Sequence, residues 1–263
     1  MLDFSAASST GEPQNTMEKG EENSLAEKPG EDSSKNSNQA TGNEIYDIEQ
    51  STYEDKNVNI SYPQIAGLND TDKQKRINDL IEKETLKVLD YYKSVEQEFS
   101  LDVSYEIKWK GANLLSIQYT GLGYIKEAPY PKNIFYTINV DMNNVKKVRL
   151  ADCINLDEDF VKKFKEAEYV AQDTELDSVI ELIKESIENY DLINEFNNAD
   201  SIGEGNPLDF FSYFTEDSLG LSVGVAHVIG DHAEFEIKYQ DIKGNIKAEN
   251  EIWKDFFKMK KQI

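Results

Sequence analysis

Residues 209–239, DFFSYFTEDSLGLSVGVAHVIGDHAEFEIKY, decide how this chain is read. Apolar residues recur from Leu219 to Val228 and again from Ala233 to Tyr239, and Gly230-Asp231 between them is a turn dipeptide. The stretch predicts two neighbouring strands. It also holds both histidines of the chain, His227 and His232, with Asp231 beside them. Imidazole and carboxylate both suit zinc. Three side chains at the end of a strand and in a turn need not converge, however, and an aspartate bonding nearby backbone amides accounts for the same residues. No metal and no cofactor are expected.

Strand and helix signals alternate upstream. Val58 to Tyr62 reads as a short strand that Pro63 ends. Asn69, Asp70 and Thr71 offer N-cap oxygens, and Ile77, Leu80, Ile81, Val88, Tyr91 and Tyr92 then recur at helical spacing, predicting a helix over 71–95. Val103, Tyr105, Ile107 and Trp109 alternate with polar residues, as do Leu115, Ile117 and Tyr119 beyond a turn at 110–113, and Ile134, Tyr136, Ile138 and Val140 make a further strand. Asp157 can cap a helix bearing Phe160, Val161 and Phe164, and a second helix carries Val179, Ile180, Ile183 and Ile187. A last amphipathic piece surrounds Trp253, Phe256 and Phe257. The expected fold is α+β: antiparallel sheets with helices packed on one face, in two sequential subdomains at 45–152 and 153–263.

Residues 1–44 differ in kind. They are rich in Ser, Asn, Glu, Lys and Gly and hold almost no large apolar residue after Phe4, so they cannot bury enough surface to offset the entropy of ordering. A disordered polar tether is expected there. Phe4-Ser5-Ala6 is similar to the end of a lipoprotein signal, with Ala7 where a lipidated cysteine would sit.

The net charge of −23 argues against nucleic acid as a partner, because phosphate binding needs clustered Lys and Arg. It favours cationic partners, and it also keeps the chain soluble. The single cysteine, Cys153, lies in an apolar context beside Leu150 and Ile154 and reads as a small buried hydrophobe. No run of 18 apolar residues occurs, so membrane attachment would need a lipid anchor.

Signatures of catalysis are sparse. The loop 197–207 (NNADSIGEGNP) is long and Gly-containing, and Glu204 within it and Asp209 just after it are a candidate carboxylate pair. There is no nucleophile elbow, phosphate-binding loop or HExxH. Tyr124, Tyr130 and Tyr136 lie in or near GLGYIKEAPYPKN, whose prolines make a poor central strand. They either form an exposed recognition surface or cover the sheet.

Three segments together resemble one family. VNISYPQIAGLNDTDKQKRIND (58–79) looks like the start of the domain at the N-terminus of the peptidoglycan deacetylase PdaC, through Tyr62-Pro63, Gly67-Leu68 and Ile77-Asn78. NIFYTINVDMNNVKKVRLADCIN (133–155) is similar to that domain's closing strand and turn, and FFSYFTEDSLGLSV…GDHAEFEIKY resembles the partner domain of the lysozyme-sensing anti-sigma factor RsiV. The resemblance implies an extracellular α+β module in the envelope of a Gram-positive bacterium. Ala226-His227 stands about where that family has Pro-Tyr, and neither a sigma-binding segment nor a deacetylase domain is present in the sequence. The expected function is a non-catalytic binding module for lysozyme, another cationic protein or a cell-wall glycan; the alternative is a peptidoglycan accessory or hydrolytic enzyme. The candidate binding residues are Tyr124, Tyr130, Glu204, Asp209, His227, Asp231 and His232.

Overall fold

Lys56 and Asn57 form a two-residue turn, with Lys56 at a φ of +53°, between β1 (Asp47–Asp55) and β2 (Val58–Ala66). The hairpin opens a computed structural model that describes residues 46–93, 98–170, 177–202 and 208–257; the expected tether lies outside them. Pro63 does not end β2 as expected: the strand runs on to Ala66, paired throughout with β1. A proline fits because β3 (Phe99–Lys110) pairs with β2 only at Val58–Ile60, so the far side of β2 has no strand partner beyond that point.

Asp70 caps α1 (Thr71–Leu86), its carboxylate accepting from Lys73 N–H at 2.8 Å. The expected continuous helix over 71–95 is broken at Lys87, where Lys87 N–H donates to the Glu84 carbonyl and Asp90 N–H to the Lys87 carbonyl. These tighter bonds replace the regular ladder and set off α2 (Val88–Lys93), which buries Val88, Leu89 and Tyr92. Because the two helices carry the chain across, β2 and β3 pair in parallel rather than antiparallel. Then β4 (Leu114–Ile125), β5 (Lys132–Asp141) and β6 (Lys146–Val148) complete a six-stranded sheet in sequence order.

Alternation divides the two faces of this sheet. Tyr119 and Tyr136, register partners whose rings stack at 4.6 Å, face α1, where Thr85 and Tyr119 hydroxyls lie 2.7 Å apart. Ser116, Phe135, Thr137 and Asn139 face the other way, toward the second sheet. Tyr136 is therefore core and not recognition surface.

The second half begins with α3 (Leu150–Cys153) and α4 (Glu158–Lys165), the latter capped by Asp157 as its sequence predicts. After β7 (Glu168–Tyr169), α5 (Asp177–Glu188) and α6 (Leu192–Asn198) come β8 (Phe210–Phe214), β9 (Ser218–Gly224) and β10 (His232–Lys238). The sheet order is β7-β10-β9-β8. Cys153 is fully buried, which pushes its thiol well above the ordinary range.

Side chains, not a strand, satisfy the outer edge of β8. Asp200, 1% exposed, accepts from Ser212 N–H (2.6 Å), Ser212 Oγ (2.8 Å) and Leu150 N–H (2.7 Å). Thr137 Oγ1 and Asn139 Nδ2 donate to the Ser212 carbonyl at 2.6 and 2.8 Å, and Phe214 N–H donates to Ser116 Oγ at 3.0 Å. The first sheet thereby seals the edge of the second. Asp255, in the terminal 3-10 turn Glu251–Asp255, accepts from Asn113 N–H, Leu114 N–H and Trp109 Nε1, tying the C-terminal end to the β3–β4 turn. Both sheets belong to one compact unit. Among the described residues no helix is long and apolar enough to cross a membrane.

Candidate functional site

The loop between β9 and β10 does not continue the strand to Val228. The β9–β10 ladder ends where Gly224 pairs with His232, so the intervening residues have no strand partner and close on themselves, Val225 N–H donating to the Asp231 carbonyl at 3.0 Å. His227–Ile229 form a 3-10 turn that Gly230 ends at a φ of +113°, a conformation open to glycine at no steric cost. Asp231 follows at +71°, a region aspartate tolerates better than most residues.

That backbone aims Asp231 at β5. One carboxylate oxygen accepts from Asn133 N–H at 2.8 Å, while Asn133 Nδ2 donates to the Gly230 carbonyl at 3.3 Å. His227 Nδ1 lies 3.0 and 3.1 Å from the two carboxylate oxygens, a geometry in which Nδ1–H donates and Nε2 is the ring's remaining polar atom. The His227 ring stacks on Tyr130, centroids 3.8 Å apart and planes 2° from parallel. Asp231 is buried, and Tyr130 is 52% exposed. The result is an aromatic platform at the surface, anchored from beneath by a carboxylate.

Beside the platform lies a pocket of about 400 Å³, with Tyr91, Ile125, Pro129 and Lys132 among its lining residues. Tyr92 and Gly123 line it as well. A Cβ on Gly123 would stand 2.0 Å from the Tyr92 hydroxyl oxygen, so only glycine lets α2 close on β4 here. Burial, with smaller contributions from Tyr91 and Asp231, pushes the Tyr92 phenol above its ordinary range and keeps it neutral.

Of the residues singled out in the sequence, Tyr130, His227 and Asp231 come together. Asp209 lies nearby, its Cγ 2.7 Å from where a Cβ on Gly224 would be; burial pushes its carboxyl up, and Lys132 of the pocket pulls the other way. Tyr124 is half exposed and outside the pocket, since alternation turns it to the face of β4 opposite Gly123. His232 turns inward, its ring 4.9 Å from that of Phe135, and burial pushes its pKa down to about 4 against the opposing pull of Asp231. Glu204 lies outside the described residues. Among those residues no three His, Cys, Asp or Glu side chains converge as a metal site. Tyr91, Tyr92, Lys132 and Asn133 carry no sequence signal for this site: the tyrosines follow the helical core pattern, and Asn133 acts mainly through its backbone N–H.

No protein-family model matches the sequence, and no curated protein matches it. Solved structures similar to it include a member of the DUF3298 family from Bacteroides fragilis, with 11% identity and a TM-score of 0.47 over 84% of this chain and 100% of that one. Another is a DUF3298 family protein from Pseudomonas aeruginosa, with 14% identity and a TM-score of 0.47 over 77% of this chain and 94% of that one.

Proposed function

We propose that this protein is a non-catalytic binding module of the outer face of a Gram-positive cell, held there through a lipid anchor. Its partner in this reading is a cationic protein, with lysozyme the specific candidate. The observation that carries the reading is the Tyr130–His227 stack, fixed by Asp231 and open to solvent on a chain of net charge −23. A platform already rigid before binding loses little side-chain entropy when a partner lands on it. The face of a tyrosine also attracts Arg and Lys groups, by roughly 0.5–1 kcal/mol at an exposed site. Acidic charge adds long-range attraction that ions screen.

Titration of the protein with a basic lysozyme across a salt series tests this. Binding at low ionic strength that weakens steeply as salt rises supports capture of a cationic partner; an affinity indifferent to salt contradicts it. One observation favours the alternative of a peptidoglycan hydrolase: the half-buried Asp209 carboxyl beside Gly224, pushed up by burial, has the character of a general acid. Soluble fragments released from purified peptidoglycan by the wild type, and not by Asp209→Asn, would replace the binding reading with that one.

A further inference from the structure

The two sheets have four edges, and three of them are blunted. Strand β6 is three residues long and β7 two, while β8 is sealed by Asp200, Ser116, Thr137 and Asn139. Strand β1 is different: it spans nine residues at the outside of the six-stranded sheet, and among the described residues no group bonds to its free side. The hairpin register determines which groups that side presents. Asp55 pairs with Val58 across the two-residue turn, and Leu101 N–H takes the Asn57 carbonyl on the β3 side. The odd-numbered residues of β1 therefore bond β2, and Ile48, Gln50, Thr52 and Glu54 direct their N–H and C=O groups outward.

The chemistry of this edge restricts its occupant. Asp47, Glu49, Glu54 and Asp55 are all exposed, and β1 contains no Lys or Arg. A second copy pairing antiparallel along its length would set Asp47 against Asp55 at both ends of the ladder, and like charges across a ladder repel. Residues 1–45 carry more acidic than basic residues and few large apolar ones after Phe4, so they are no better matched. A basic extended segment has complementary side chains and can use the whole row of backbone groups.

We propose that the free edge of β1 accepts an extended, Lys- or Arg-bearing segment of a partner polypeptide as a seventh strand. The inference does not rest on the aromatic platform, which is built from the β4–β5 and β9–β10 loops. The probe is a nine-residue synthetic peptide alternating Lys with Val or Thr, added to the full chain, with a Glu-for-Lys version as control. Amide exchange at Ile48, Gln50, Thr52 and Glu54 is expected to slow on adding the basic peptide and to stay unchanged with the acidic one. Thr52→Pro removes an outward N–H and leaves the bonds to β2, so it should weaken peptide binding roughly ten-fold, the equivalent of about one hydrogen bond. The Glu49→Lys, Glu54→Lys double variant should lose binding to a similar extent, while Tyr130→Ala should bind as the wild type does. The proposal is overturned if those four amides stay unprotected, if the acidic peptide binds equally well, or if Tyr130→Ala alone abolishes binding.

Discussion

Two buried aspartates in left-handed backbone, Asp200 at a φ of +63° and Asp231 at +71°, are used for opposite purposes. Asp200 gathers Ser212 and Leu150 inside the molecule and closes the edge of β8. Asp231 bonds Asn133 and His227, both of which reach the surface, and the His227 ring stacks on the exposed Tyr130. The left-handed conformation is the same in both. What differs is whether the residues bonded to the carboxylate are enclosed, as Ser212 and Leu150 are, or reach solvent, as Asn133 and His227 do, and that difference separates a structural hub from a candidate site.

The sharpest contrast between them should be in stability. Asp200→Ala leaves several buried donors without an acceptor, and chemical denaturation should show a loss of about 4 kcal/mol. A wild-type-like midpoint would mean that the edge of β8 is satisfied in some other way. Next comes pH. His232 is neutral in the folded state down to about pH 4, whereas in the unfolded chain it protonates below about 6.5. The unfolded state therefore binds the extra proton between those values. Stability is complete above that window and falls by roughly 3 kcal/mol as pH drops through it, and His232→Phe, which keeps the packing on Phe135, should flatten that part of the profile.

Asp231→Ala should cost less, about 2 kcal/mol, because Asn133 N–H is near enough to the surface to recover water. Its signature is local: the Tyr130 and His227 ring resonances should lose their mutual ring-current shifts while those of Tyr119 and Tyr136 remain. Smallest of all, Gly230→Ala forces a side chain into a left-handed turn and should lower stability by about 1 kcal/mol, read as a shift in the thermal midpoint.

Strands were legible where polar residues alternate with apolar ones: at Val103–Trp109 because one face is wetter than the other, and at Ile134–Val140 because Thr137 and Asn139 bond the second sheet from a buried face. Periodicity fails at both extremes. Strand β1, DIEQSTYED, has no fully buried residue and reads as polar chain, while β8, FFSYF, is buried throughout and shows no alternation. The caps at Asp70 and Asp157 were visible because an N-cap is local chemistry. The candidate site was visible only in part. His227, Asp231 and Tyr130 stand out by residue type, but their assembly depends on the Asn133 backbone N–H donating to the Asp231 carboxylate, residues 98 apart, which no local pattern encodes.

In the proposed reading a cationic partner lands on the Tyr130–His227 platform. The most direct measurement is calorimetric titration of the wild type and Tyr130→Ala with a basic lysozyme at low ionic strength. The wild type should bind, and the variant should bind at least roughly ten-fold more weakly, the scale expected of an aromatic anchor at an interface. No binding by the wild type, or equal binding by both, would contradict it.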